Sequence, residues 1–380
     1  MIKQHTKEWL EAKKTKIGGS EIFTLAHYYC KKELEQIGIN LKELPFKTAL
    51  ELYLEKKFGI QSEPIDPICA EFGLGMEKYI IHRLNKENRS INVTSSSNFE
   101  INDELNLACC SPDGFVEVSD EIQDYDKRTL INKESGSGML EVKTTQFTFN
   151  YEAAAGPKWQ YIFQLNYNML VCKNSWGLLA CLTPKEKEFD TDFFKGKVLG
   201  LLEGAKNQLS SAELAYNEHL EYLDNMQFYN LYTYFYTGNK TIQNICKLAL
   251  ERFQNAMDND LMPLASVDNL EKLMREKKML SKMFPEKFGK LQANQSLNEL
   301  LNERGIVNNQ LKIDETAKEE INCKLIQAMG HHIELEGFNY IAKFDKKGSL
   351  RVSQNKDSFV TQGMINKLLE DVEIPNYMGA

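Results

Sequence analysis

Two carboxylates and a lysine have the types and grouping needed to bind a metal ion and activate water. Asp113 lies in Ser111-Pro112-Asp113-Gly114-Phe115; Glu141 and Lys143 lie in Met139-Leu140-Glu141-Val142-Lys143-Thr144-Thr145. A hard cation such as Mg²⁺ takes a few carboxylate oxygens, keeps waters and leaves positions for phosphate. A lysine beside it can orient the attacking water and help deprotonate it. A plainer account stands against this. Asp-Gly is a common turn dipeptide, and Glu-x-Lys arises by chance in any charged chain.

Several elements must bring these groups together. Pro-Asp-Gly reads as a tight turn, and its flanks 107–110 and 115–118 read as two hairpin strands. Residues 139–145 read as a third short strand. Its period-two alternation puts Glu141 and Lys143 on one face and Leu140 and Val142 on the other. A polar, Gly/Ser-rich insertion from Asp120 to Gly138 separates the two pieces. Residues 71–84 read as a helix on which Glu77 falls among Gly73, Ile80, Ile81 and Leu84. A carboxylate on an apolar stripe calls for a metal, a lysine or a structural partner, or else lies at the helix edge. His82 on this helix reads as a packing or surface residue.

Residues 157–171 read as a helix opened by Pro157, apolar nearly all round, with Gln160, Gln164 and Tyr167 on one face. Residues 176–182 read as a buried strand, and 91–94 and 98–101 as two more. Near the N-terminus, Ile17-Gly18-Gly19-Ser20-Glu21 precedes a helical pattern. It offers an N-cap or, with nearby lysines, an anion site; by itself the ordinary cap is the better reading. Leu50, Tyr53, Leu54 and Lys57 make a stripe on a helix that reads as core.

The chain has 380 residues, 42% hydrophobic and 26% charged, with a net charge of −8. This suits one large domain or two smaller ones. The negative charge counts mildly against nucleic acid as ligand but leaves room for a local basic channel. The eight cysteines are scattered with no C-x-x-C pair. They suit reduced thiols rather than a disulfide framework, a zinc site or an iron–sulfur cluster. No signal peptide and no membrane-length apolar run is read, so a cytoplasmic protein is expected, in a bacterium or a phage-infected host.

The Pro-Asp…Glu-x-Lys arrangement resembles the PD-(D/E)XK nuclease superfamily. Five blocks between residues 9 and 185, in family order, resemble the YqaJ-type viral recombinase nucleases of the lambda-type exonuclease family. The resemblance implies an α/β core with a central mixed sheet flanked by helices over 1–200, and a mostly helical region with a terminal hairpin over 201–380. It implies that Asp113, Glu141 and the Val142 carbonyl hold Mg²⁺, with Mn²⁺ able to replace it. Glu77 then helps bind the metal or its water, Lys143 positions the nucleophile, and Gln164 supports the water or a phosphate. Asn166 stands where the family has a second glutamine. Lys13 and Ser20 match positions that contact a 5′-phosphate, with lysine where the family usually has arginine, and Ser111 matches a phosphate-binding serine. The implied activity is 5′-to-3′ resection of double-stranded DNA ends for phage-type recombination and repair. A single-strand annealing protein is the implied partner, a ring trimer the implied assembly, and no membrane is involved. Two alternatives remain open: a restriction-like or nicking endonuclease, and a non-catalytic DNA-end or partner-binding module.

Beyond residue 193 the pattern predicts helices over 198–216, 242–257, 296–304 and 315–329. The aromatic stretch 228–236 reads as core packed on those helices. Residues 274–290 form a basic amphipathic segment, a channel lining or more simply a solvated face. Residues 337–353 read as a hairpin with an Asp-Lys-Lys-Gly turn.

Overall fold

The computed structural model describes residues 2–4, 6–39, 41–62, 67–144, 156–184, 229–266, 269–285, 290–309, 315–337 and 340–354. It divides into two compact units: Met1–Ala49 with Glu63–Leu261, and Leu50–Ser62 with Met262–Ala380. In chain order the first unit holds helices α1 (Lys7–Thr15), α2 (Gly19–Tyr29) and α3 (Lys31–Gln36). Helix α4 (Ala49–Phe58) lies almost wholly in the second unit. The first then resumes with α5 (Pro67–Glu87), α6 (Trp159–Cys172) and α7 (Lys240–Asp258). Its strands are β1 (Ile2–Lys3), β2 (Ile91–Ser95), β3 (Asn98–Ile101), β4 (Cys109–Cys110), β5 (Gly114–Val118), β6 (Ile122–Gln123), β7 (Leu130–Ile131), β8 (Gly138–Thr144), β9 (Trp176–Pro184) and β10 (Tyr229–Thr237).

The fold class is α/β. A central mixed sheet has the order β10-β9-β8-β5-β2. Strands β8 and β9 are parallel and the other neighbours antiparallel. A parallel pair needs a crossover, and α6 supplies it. Period-two alternation on β8 sorts the two faces. Leu140 and Val142 join Met76, Tyr79, Ile80 and Leu84 of α5 and Leu178, Ala180 and Leu182 of β9 in one core. The opposite face carries Glu141 and Lys143 and receives α6. The carboxylate of Glu43 caps α6, accepting from the backbone N–H groups of Trp159 and Gln160 at 3.1 and 3.0 Å.

One expectation is corrected here. The flanks of the Pro-Asp-Gly segment do not pair with each other. Strand β4 pairs with β3 in a separate sheet with β1, whereas β5 pairs with β2 and β8. Residues 111–113 pass between sheets, tied by Gln4 Nε2 donating to the Pro112 carbonyl (3.1 Å) and Ser96 N–H donating to the Asp113 carbonyl (3.0 Å). The first unit runs past residue 200, to Leu261. The aromatic stretch forms β10, which pairs with β9 along its whole length. Phe235 enters the central core. Tyr234 and Tyr236 meet Tyr125, with ring centroids at 5.4 and 5.3 Å.

Gly138, at the start of β8, is set by packing. A Cβ there would meet the indole of Trp176, coming within 2.5 Å of its Cε2. Trp176 is fully buried and cannot yield. Gly138→Ala should destabilise the protein by about 1–3 kcal/mol, as overpacked cores do, read as a lower midpoint in urea unfolding.

The second unit adds α8 (Leu270–Met283), α9 (Gln295–Asn309) and α10 (Glu315–Met329) to α4. It also contains a four-stranded sheet of β11 (Lys290–Gln292), β12 (Glu334–Glu336), β13 (Tyr340–Phe344) and β14 (Leu350–Gln354), in that order. A mostly helical region is therefore only part of the description; β11 and β12 are too short to show a period in sequence. Leu50 and Leu54 of α4 lie in one core with Leu273, Leu280, Leu301, Leu325, Ile326 and Phe344. The basic segment turns its charges to acids of its own unit. Arg275 bonds Glu51 (2.7 Å), Lys277 bonds Glu319 (2.5 Å) and Lys290 bonds Glu334 (3.1 Å). Lys287 and the helix expected over 198–216 lie outside the described residues.

Candidate active site

Strands β5 and β8 pair only from Gly114↔Leu140 to Val116↔Gly138. Beyond that point the Asp113 side chain takes over: its Oδ2 accepts the Val142 N–H at 2.7 Å. A carboxylate is thus fixed at the end of one strand beside Glu141 on the next. Glu141 is 1% exposed. Its Oε1 accepts from Lys143 Nζ and from Gln164 Nε2 (2.6 Å), and its Oε2 accepts from Asn168 Nδ2 (2.9 Å). Gln164 and Asn168 are one turn apart on α6, so both amides reach the same carboxylate. The Lys143 ammonium also lies 5.5 Å from the Tyr161 ring centroid.

Glu77 comes from α5, and Gly73 one turn earlier approaches Thr144 at the end of β8. Burial pushes the Glu77 carboxyl up to about 7, the Asp113 charge adds to this, and Lys78 and Lys143 oppose it. Burial also raises Asp113, against Lys143 and the Val142 N–H. Glu141 is raised by burial, with Lys143 opposing and Asp113 adding. Burial works against the Lys143 charge, but Glu141 and Asp113 outweigh it and lift its pKa above the ordinary lysine range. Asp113 is therefore the hub, felt by Glu77, Glu141 and Lys143 alike.

The structure brings together Glu77, Asp113, Glu141, Val142, Lys143 and Gln164. Among the described residues, no three Asp, Glu, His or Cys side chains form a ready-made metal-ligating group. Glu141 is turned onto its donors and Asp113 onto the Val142 N–H. The donor chemistry nonetheless fits a hard dication. Carboxylates gathered in a partly buried space raise each other's cost of ionisation, which a divalent ion relieves.

Asn166 has a different task. Its Oδ1 accepts the Asn239 N–H at 2.8 Å, and its Nδ2 donates to the Ile162 carbonyl. It tethers the start of α7 rather than the carboxylates. Ser111 Oγ accepts from the Trp9 indole at 3.2 Å, and the Lys13 ammonium lies 4.8 Å from the centroid of the Trp9 ring. Lys13 and Ser111 thus share one patch through Trp9, two residues from Asp113. Ser20 is exposed in the first turn of α2, while Glu21 Oε2 accepts the Gly18 N–H at 3.0 Å.

Sequence reasoning missed Asn168 and Trp9. The i, i+4 spacing of Asn168 from Gln164 was a usable signal for the first. Nothing local distinguishes Trp9 from an ordinary amphipathic-helix tryptophan.

No family model and no curated protein matches the chain. Among solved structures it is similar to an alkaline exonuclease, LHK-Exo, from Laribacter hongkongensis, at 14% identity and a TM-score of 0.39, over 67% of this chain and 94% of that one. It is similar to LHK-Exo in complex with dAMP at 14% identity and a TM-score of 0.38, over the same shares.

Proposed function

We propose that this protein is a divalent-metal-dependent deoxyribonuclease that resects double-stranded DNA ends. The observation that carries the reading is the convergence of Asp113, Glu141, Lys143 and Glu77, with Gln164 bonded to Glu141. Asp113, Glu141, Glu77 and the Val142 carbonyl are the oxygens that would hold Mg²⁺, or Mn²⁺ in its place. The ion, when bound, supplies Lewis acidity at the scissile phosphate and lowers the pKa of a bound water.

The chain's own groups do the rest. Lys143 is kept charged by its acidic neighbours. It serves to orient the attacking water and offset phosphate charge. Gln164 holds Glu141 and leaves its carbonyl oxygen for the water or a phosphate. Lys13, Ser20 and Ser111 supply a charge and hydroxyls for the DNA backbone, and the resemblance assigns the first two to the 5′-phosphate. Polarity from 5′ to 3′, a single-strand annealing partner and a ring of three subunits follow from that resemblance and complete the proposal.

The test is time-resolved digestion of linear duplex DNA labelled at either end, with and without a 5′-phosphate, beside closed circular DNA, in Mg²⁺. The proposal expects release of the 5′ label first, faster with the phosphate, and intact circles. Nicked or linearised circles would favour the endonuclease reading. Bound but uncut ends would leave a binding module.

A further inference from the structure

Glu141 has to be held in one rotamer to serve as a ligand, and three donors hold it. Lys143 and Gln164 share Oε1 and are themselves assigned to the reaction. Asn168 alone occupies Oε2, at 2.9 Å. Asn168 is 1% exposed, so neither DNA nor bulk water reaches it. Its other polar atom, Oδ1, is buried with no hydrogen-bond partner among the described residues. A buried amide with an unpaired oxygen is a poor packing residue. The half that is used is the N–H directed at Glu141.

The space for this amide comes from another element. A Cβ built on Gly19, in the first turn of α2, would collide with Asn168 Oδ1 and lie 2.9 Å from its Cγ. It would also lie 3.0 Å from Gln164 Cγ. Gly19 has an ordinary helical backbone and needs no glycine for its φ. Closeness to the Glu141 clamp is what excludes a side chain there.

We infer that Asn168 is a positioning residue that fixes Glu141 for the reaction, and that Gly19 is the clearance which lets it do so. This rests on the nuclease reading above. Asn168 acts only through Glu141, in the way that groups bonded to metal ligands set the orientation and affinity of a site.

The test compares wild type with Asn168→Ala, Asn168→Leu, Gly19→Ala and the double variant Gly19→Ala/Asn168→Ala. Two readouts are taken: Mn²⁺ affinity by calorimetry on the DNA-free protein, and kcat and KM on linear duplex DNA. Both position-168 variants should weaken Mn²⁺ binding and lower kcat by about 10–100-fold, the scale for lost partners of metal ligands, with KM for DNA within about twofold. Asn168→Leu keeps the branched shape and leaves no cavity, so its agreement with Asn168→Ala separates the lost donor from a cavity. Gly19→Ala should reproduce the loss, and it supplies the same readouts should the position-168 variants fail to fold. In the double variant the clash with the Asn168 amide is gone and only the 3.0 Å approach to Gln164 Cγ remains, so it should be no worse than Asn168→Ala. Unchanged Mn²⁺ affinity and kcat in the folded variants would overturn the inference and leave the nuclease reading standing. So would losses in Gly19→Ala and Asn168→Ala that simply multiply. A wild-type protein that neither binds Mn²⁺ nor cuts DNA would overturn both.

Discussion

Lys143→Ala should lower the rate of DNA hydrolysis by about 10³-fold, the scale of a lost proton-handling or charge-stabilising group, while duplex affinity changes by about threefold or less. The split follows from where the ammonium sits. It is bonded to Glu141, faces Asp113 and is mostly enclosed, with its side chain 21% exposed. It touches the reacting region and contributes little to a long phosphate track. Its loss also leaves the buried carboxylates with amide donors only, so their ionised forms become costlier still. Lys143→Arg is not expected to restore the rate, because a planar fork cannot occupy the place of a compact ammonium between two carboxylates. Single-turnover cleavage at saturating enzyme and filter binding of the same duplex separate the effects. Near-wild-type cleavage in Lys143→Ala would remove the lysine from the reaction.

Glu77→Gln should lower hydrolysis about a hundredfold, the lower end of the effect of losing a group at a metal or proton-transfer site, and should stabilise the metal-free protein. The Glu77 carboxyl is raised from its ordinary 4.5 to about 7 in the folded protein. Between those values the folded state holds a proton that the unfolded chain has released. Linkage then makes stability fall as pH rises through that window. Glutamine cannot ionise, so the variant escapes this loss. Wild type and variant should melt together near pH 4.5. They should separate as pH rises to 8, with the variant higher by about 2–4 °C after allowing for Glu77 being partly in water. Comparing the two proteins cancels the titrating groups that do not interact with Glu77, such as Asp124 and Glu334, both shifted downward. Added Mn²⁺ should reverse the order at pH 8, since binding a cation favours the ionised carboxylates. A gap that stays constant with pH would mean that Glu77 does not titrate there.

What could be read from the chain was whatever depends on short-range period. Alternation along β8 separated Leu140 and Val142 from Glu141 and Lys143, and the two faces are as expected. The odd carboxylate on an apolar stripe marked Glu77, and Pro157 marked the entry to α6. What could not be read was whatever depends on partners distant in sequence. The strands around Asp113 looked like a hairpin because each is short and apolar, and only the tertiary pairing sends them to different sheets. The i, i+4 spacing puts Asn168 on the Gln164 face of α6, but its partner Glu141 is 27 residues away and shows only in the fold. The basic segment looked like a free cationic face until Glu51 and Glu319 were found opposite it.

The second unit draws α4 from a stretch enclosed on both sides by the first. On the ribosome, Leu50 and Leu54 emerge early, and the residues that cover them are made only after Leu261. A nascent chain therefore carries an uncovered greasy helix throughout synthesis of the rest of the first unit. The same holds for any shortened version that stops at Leu261. Isolating the first unit by truncation thus requires residues 50–62 to be replaced with a polar bridge.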